Sequence, residues 1–337
     1  MTQHVVVLGA GMVGAAIAAD MAREGFRVTV VESRAEAVRR AGAMGGVRVV
    51  QADLSAPDAV TKAVAGADLV LGALPSSLGL QTLRTVLSAG KTYVDVSFMA
   101  EDAWELDPMA RERGVCAVID CGVAPGVSNL LCGRAVELLD ASERLENYVG
   151  GLPAERRWPF QYKAGFAPGD VLEEYIRPAR MVEHSRLVVK EALSEPELID
   201  FPPVGTLEAF NTDGLRSLAY TLKVPHMKEK TLRYPGHIEL MRVLRHAGYF
   251  SKEPITVGGA TVRPLDVTSH LLFPKWTFEE EEADVTVMRV LAEGTRASSS
   301  GGWTPGSRKA PRRSSTAMQV AAYPVVRGME RSFVTGS

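Results

Sequence analysis

The chain reads as an α/β protein: a Rossmann-type doubly wound parallel sheet followed by a second, mixed α+β domain. Three observations predict this. A glycine-rich turn joins an apolar strand to a small-residue helix at residues 4–22. Strands and helices then alternate over roughly the first 140 residues, the rhythm of a parallel sheet. Around Glu146 the texture changes to longer loops and strands with more proline and aromatic residues. The expected division is a dinucleotide-binding domain at 1–140, an α+β domain at 141–294, and an atypical basic tail at 295–337.

The organising element comes first. His4-Val5-Val6-Val7-Leu8 is an apolar, β-branched run that reads as a buried strand. It enters Gly9-Ala10-Gly11-Met12-Val13-Gly14 and then a helix rich in alanine. Gly9 permits the tight turn, Gly11 lets backbone approach a pyrophosphate, and Gly14 lets the helix sit against the strand. The helix amides at Met12 and Val13 then face the phosphates. Residues 27–31 form a second apolar strand ending at Glu32, placed to accept both adenosine ribose hydroxyls. A carboxylate there repels a 2′-phosphate, so NAD is expected over NADP; Ser33 lies beside it, and Arg34 is the one group that could rescue NADP binding.

Residues 47–51 read as a strand followed by Asp53 and Leu54, the expected adenine contacts. A helix at 56–65 leads to a strand at 67–72, which runs into Ala73-Leu74-Pro75, where the second half of a dinucleotide lies. A helix at 80–89 precedes strands at 92–97, ending on Ser97, and at 116–120. Gly122-Val123-Ala124-Pro125-Gly126 opens a further helix, with Ser97 and Ala124 counted among the cofactor contacts. In the second domain, 180–193 reads as an antiparallel strand pair, and 255–262 as a hairpin on a Gly-Gly turn. Helices are expected at 215–222, 237–247 and 264–272, and a strand at 283–291.

Bulk properties bound the function. With 46% hydrophobic and 23% charged residues the composition is that of a soluble globular protein. A net charge of −2 supplies no electrostatic reason for a nucleic-acid or anionic-membrane partner. Cys116, Cys121 and Cys132 lack metal-ligand spacing and read as thiols in a reducing compartment; no metal is expected. A strand beginning at His4 leaves no room for a signal peptide, and no apolar run spans a bilayer, so a cytoplasmic protein is expected. From Arg296 onward there are seven basic residues, one acid and no sustained apolar period. Two expectations attach to this segment: a disordered basic tail, or a frameshift that has replaced the native C-terminus.

The segments Val7-Leu8-Gly9-Ala10-Gly11, Ala73-Leu74-Pro75, Tyr93-Val94-Asp95 and Gly122-Val123-Ala124-Pro125-Gly126 occur in order with Gly150-Gly151-Leu152-Pro153, Asn211-Thr212-Asp213-Gly214-Leu215 and Thr231-Leu232-Arg233-Tyr234-Pro235-Gly236-His237. Together, over roughly residues 1–294, the chain resembles the saccharopine dehydrogenase-like family, and is most similar to its L-lysine 6-dehydrogenase branch. The resemblance implies a Rossmann domain, a mixed substrate and dimerisation domain, and a homodimer or higher homo-oligomer. It implies NAD-dependent oxidation of the lysine ε-amine to allysine, which cyclises to piperideine-6-carboxylate, with release of ammonia. Fungal saccharopine reductases carry an acid where this chain has Ala124 and a cysteine where it has Val149; both departures fit a simpler amine substrate.

Oxidising an amino-acid amine requires an anchor for the α-carboxylate, a neutral amine, and a hydride aimed at the nicotinamide. Arg233 is the expected anchor, with Thr212 and Asn211 beside the substrate. Asp213 either binds an ammonium or caps the helix that follows. His237, at a helix start, and Lys163, if desolvated, are the candidates for proton transfer. Two alternatives stay open: a saccharopine- or carboxynorspermidine-type reductive condensation, with Arg177 or Arg180 as second anchor, and a catalytically dead NAD-binding protein.

Overall fold

The structure, a computed structural model, describes residues 2–202, 204–279, 282–296 and 312–325, the last stretch as backbone. The chain divides into two compact units, Met1–Gly126 and Val127–Ser337.

The first unit alternates β1 (His4–Leu8), α1 (Met12–Arg23), β2 (Arg27–Glu32), α2 (Ala35–Gly42), β3 (Val47–Gln51) and α3 (Pro57–Val64). It continues with β4 (Leu69–Gly72), α4 (Gly79–Ser88), β5 (Thr92–Asp95), α5 (Asp107–Arg113) and β6 (Ala117–Val118). All six strands are parallel, in the order β3-β2-β1-β4-β5-β6. Successive side chains of a strand face opposite ways, and β1 is apolar on both faces. Val5 and Val7 join a core with Ala18 of α1 and Ala37 and Ala41 of α2. Val6 and Leu8 join the other, with Val60 of α3 and Leu83 and Val86 of α4. The sheet is therefore covered on both sides, and its order reverses between β1 and β4, which places a crevice outside the carboxyl end of β1.

The second unit begins with α6 (Val127–Glu137), β7 (Ala141–Pro153), α7 (Pro168–Ile176), β8 (Ala179–Glu183), β9 (Arg186–Lys190), β10 (Glu197–Phe201) and β11 (Gly205–Asn211). Then come α8 (Leu218–Thr221), β12 (His226–Arg233), α9 (His237–His246), the hairpin β13 (Ile255–Val257) and β14 (Ala260–Val262), α10 (Pro264–Trp276), β15 (Asp284–Arg296) and β16 (Arg312–Val325). Its main sheet runs β10-β11-β12-β7-β15-β16, with β8 pairing β12 and β9. β7 pairs parallel with β12 and antiparallel with β15, so the sheet is mixed. Alternation along these strands feeds different cores. Leu145, Met227 and Val290 pack with Cys132 and Ala135 of α6, whereas Tyr148, Leu152, Leu232 and Val287 pack with Leu207 and Phe201.

Several expectations shift. The strand expected at 116–120 shortens to Ala117–Val118. Where longer loops and strands are expected from around Glu146, the chain runs as one 13-residue strand, Ala141–Pro153. α7, with Pro168 in its first turn, had no counterpart in the pattern reading. The Gly258-Gly259 turn is as expected: both residues have positive φ, 56° and 84°, the requirement of a two-residue hairpin turn. The tail expectation is corrected for Arg312–Val325, which pairs antiparallel with β15 from Arg296↔Arg312 to Asp284↔Val325. The rest of the tail lies outside the described residues.

Candidate functional site

In the first unit the glycine turn is built by close approach. Gly9 has φ +97°, and a Cβ there would sit 2.5 Å from the Ala73 carbonyl oxygen. A Cβ on Gly14 would collide with the Gly9 carbonyl. Both glycines are thus dictated by packing of α1 and the Ala73-Leu74-Pro75 loop against β1. Gly11 differs: a Cβ there would meet only the Arg34 guanidinium, at 3.9 Å. The backbone above Gly11 is open where a pyrophosphate would approach. Gly11 also caps α1 without a side-chain hydrogen bond, no acid occupies the first turn, and Met12 and Val13 are exposed. An open glycine backbone and a positive helix end fit a dinucleotide phosphate.

Glu32 is buried at the end of β2. Its Oε2 accepts from the Ala10 amide at 2.9 Å, and its Oε1 from the Ser33 and Arg34 amides at 3.0 and 2.9 Å. The Arg34 side chain adds bonds at 3.2 and 3.4 Å. Burial alone would raise this carboxyl; the donors from Arg34 and Ala10 outweigh it and hold the group at about 2. Arg34 is otherwise exposed. Asp53 accepts from the Ser55 amide at 2.9 Å, and that bond keeps its carboxyl low. Leu54, expected against adenine, instead packs in the core with Val31, Val60 and Leu83.

At the carboxyl end of β5 lies a group the sequence reading missed. Asp95 is buried and accepts from the Ser97 hydroxyl and, at 3.2 Å, from the Ser97 amide. Burial pushes its carboxyl up to about 6 against the bonds from Ser97 and Tyr93. The sequence signal was Gly72 and Gly79, where any Cβ would collide with Tyr93 and Asp95, or with Ser97 and Met99. Ser97 is thereby oriented by Asp95. Ala124 sits in a tight loop closed by Gly122 N–H donating to Pro125 O at 2.9 Å.

The second unit holds the expected substrate residues, and most are committed internally. Arg233, almost wholly buried, donates to Glu174 at 2.6 Å, Tyr175 Oη at 3.2 Å and Leu232 O at 3.0 Å, and lies 4.3 Å over the Tyr162 ring. That is an internal ion pair walled by aromatic rings, not an open carboxylate clamp. His237 is also engaged at both nitrogens. Nδ1 lies 2.7 Å from Phe160 O, which can only accept, so Nδ1 carries the proton and Nε2 accepts from Tyr175 Oη at 2.9 Å. Burial, reinforced by the Arg233 charge, lowers its pKa to about 3. His237 is therefore a neutral core histidine, as burial beside a cation requires. Lys163 is bonded to Glu282.

Asp213 receives a two-pronged pair from Arg180, Nε to Oδ1 at 2.8 Å and NH2 to Oδ2 at 2.7 Å, and does not cap the following helix, which begins only at Leu218. This pairing engages Arg180, one of the two expected second anchors. Arg177 lies 4.0 Å from Glu173. Asn211 pairs in register with Lys230, and its Nδ2 donates to Ser194 and Glu195. Thr212 faces the other way and donates to Glu229 at 2.6 Å, with Thr231 Oγ1 at 2.8 Å. Glu229 also accepts from the Gly214 amide at 3.1 Å. A Cβ at Gly214 would collide with that carboxyl, the one signal in sequence for it.

The described residues contain no group of three or more histidine, cysteine or acidic side chains able to hold a metal. None of their helices is long and apolar enough to cross a membrane.

Comparison with known proteins places this geometry. The family model described as "Saccharopine dehydrogenase C-terminal domain" matches residues 122–330, and "Saccharopine dehydrogenase NADP binding domain" matches 5–118. The chain belongs to the saccharopine dehydrogenase family. It is 24% identical, over 75% of its length, to the saccharopine dehydrogenase [NADP(+), L-glutamate-forming] of Pyricularia oryzae, covering 59% of that protein. It is 25% identical, over 61% of its length, to the α-aminoadipic semialdehyde synthase of Arabidopsis thaliana, covering 21% of that protein. The chain thus spans 59% and 21% of the length of these two relatives, less than two thirds of either. Apo saccharopine dehydrogenase (L-Glu forming) from Saccharomyces cerevisiae shares the fold, with a TM-score of 0.67 and 17% identity over 96% of this chain and 85% of that one. A pyridine-nucleotide-binding domain is therefore present.

Proposed function

We propose that this protein is a pyridine-nucleotide-dependent oxidoreductase that oxidises a C–N bond of an amino acid, with the ε-amine of L-lysine as substrate and NAD as cofactor. The carrying observation is Glu32, a buried carboxylate held ionised by Ala10 and Arg34 beside the open Gly11 backbone. An anionic group there accepts ribose hydroxyls and disfavours a 2′-phosphate. When bound, the nicotinamide supplies the hydride acceptor. The chain's own residues have the remaining tasks: α1 amides hold the pyrophosphate, Glu32 the ribose, and Ser97, oriented by Asp95, the nicotinamide half. The small side chains Ala124 and Val149 favour a compact amine over a condensed substrate.

The second reading is a saccharopine-type dehydrogenase using NADP. It is favoured by Arg34, whose exposed guanidinium lies beside Gly11 where a 2′-phosphate could be gripped. It is disfavoured by the commitment of Arg180 to Asp213, which leaves a second substrate carboxylate without that anchor. Purified protein mixed with NAD or NADP and a panel of diamino acids, followed by nicotinamide absorbance, separates the readings. Reduction of NAD by L-lysine alone, with ammonia released, is expected. Silence with lysine but oxidation of saccharopine by NADP moves the assignment to the second reading. Bound nucleotide without turnover leaves a binding protein. A homodimer in a cytoplasmic setting accompanies the proposal, and sedimentation of the full chain measures the first of these.

A further inference from the structure

The buried acids of the second unit are not treated alike. Glu146 lies 3.3 Å from Arg144 and 3.2 Å from Lys228, and Asp213 is gripped by Arg180. Glu229, equally buried, meets no cation among the described residues; its Oε2 takes only the Thr212 hydroxyl and the Gly214 amide. A buried carboxyl with neutral donors alone is a costly arrangement unless a positive guest completes it.

A second observation points to the same place. Asn147 of β7 stands opposite Glu229 in the parallel β7–β12 register and is 1% exposed. Among the described residues neither its Oδ1 nor its Nδ2 has a hydrogen-bond partner. Its neighbour on the other side is Val290 of β15, which offers no polar side chain. Thr231, two residues along β12 on the same face, uses its hydroxyl toward Thr212 and keeps acceptor capacity. Adjacent strands lie about 4.8 Å apart, so side chains that share a face can contact the same small group. Three acceptors are thus gathered on one face: the Glu229 carboxylate, Asn147 Oδ1 and Thr231 Oγ1. An –NH3⁺ group has three donors and one positive charge.

We propose that Asn147, Glu229 and Thr231, on the adjacent strands β7 and β12, form the seat of a primary ammonium group of the substrate. This rests on the reading of the protein as an enzyme of amino acids, and it names the subsite which that reading lacks. Ammonium of either end of a diamino acid has the required chemistry. Ionisation supports the assignment. Burial, opposed by Thr212 and Gly214 and reinforced by the charges of Glu174 from α7 and Asp213 from the turn after β11, pushes Glu229 up to about 8. Cys132 of α6 also faces it, its own thiol raised by burial and by Glu229. The free seat is therefore protonated and neutral at pH 7, and an incoming cation displaces that proton.

Calorimetric titration of the full chain with L-lysine and L-saccharopine tests this without turnover. At pH 7, in two buffers of different ionisation enthalpy, wild type is expected to release most of one proton per amine bound. Glu229→Gln, nearly isosteric, is expected to bind at least tenfold more weakly and release none; Asn147→Leu is expected to weaken binding similarly while NADH affinity stays within twofold. L-Norleucine, which keeps only the α-ammonium, and cadaverine, which keeps only distal ones, identify the end that is held: the analogue whose affinity Glu229→Gln reduces retains it. Wild-type affinity in both variants, or Asn147→Leu raising thermal stability with binding unchanged, overturns the seat and leaves the oxidoreductase reading intact. Amine binding that Glu229→Gln abolishes, without any nicotinamide reduction, overturns the catalytic reading and leaves the seat standing. No amine binding by wild type overturns both.

Discussion

Two buried carboxyl groups, Glu32 in the first unit and Glu229 in the second, are driven in opposite directions by the same solvent exclusion. Glu32 falls to about 2 because backbone amides of Ala10 and Arg34 and the Arg34 guanidinium converge on it. Glu229 rises to about 8 because two neutral donors cannot offset burial and the nearby charges of Glu174 and Asp213. The lesson is that burial sets the need for compensation, while the number and charge of the donors set the outcome. A carboxylate already ionised suits hydroxyl recognition. A carboxyl held neutral until a cation arrives suits amine recognition.

The largest expected effect comes from removing a compensating cation altogether. Arg233→Met strands Glu174, whose carboxyl burial raises and Arg233 lowers, and should destabilise the protein by roughly 3–5 kcal/mol in urea unfolding. An unchanged midpoint would mean that Glu174 is satisfied without its partner. Next in size is the pH dependence from Glu229. Its folded pKa lies above its unfolded value, so the folded state binds the extra proton and stability falls as pH rises from about 4.5 through about 8. Glu229→Gln should flatten that slope and gain roughly 3 kcal/mol at pH 9. Thermal midpoints of wild type and variant that run parallel across this range would remove Glu229 as its source.

Glu32 has the opposite sign. Its folded pKa is depressed, so its contribution is present above about 4.5 and is lost as pH falls toward about 2. Glu32→Gln should lose about 2 kcal/mol at pH 7, little at pH 2, and narrow the preference for NAD over NADP. Smallest is Arg34→Ala. With the guanidinium largely in solvent, NAD affinity should change by less than about threefold while NADP affinity drops about tenfold, read by fluorescence titration of the reduced nucleotides. Equal losses for both nucleotides would place Arg34 on their shared portion.

What could be read from the sequence follows the range of the forces involved. The run from His4 to Glu32 was legible because strand period, glycine turn and small-residue helix are local, and the order of strands β1 to β6 follows from a repeating handed connection. Glycines carried more than their own turns. Gly72, Gly79 and Gly214 mark where Tyr93, Asp95, Ser97 and Glu229 approach backbone, although sequence alone does not say what approaches. That Arg233 and His237 are buried and already engaged was not legible, because the groups that engage them, Glu174, Tyr175 and Phe160, lie on segments distant in sequence.

By itself the sequence determined the two-domain α/β architecture, the family, and the nucleotide turn with Glu32, since each depends on residues near one another along the chain or on motifs in fixed order. Only the tertiary structure decided which polar side chains are satisfied and which are not. Asn147 and Glu229 become neighbours through the parallel pairing of β7 with β12, and Asp213 is neutralised by Arg180 from β8. Hydrogen bonding and ionisation depend on distances of a few ångströms between remote segments, and folding alone sets those distances.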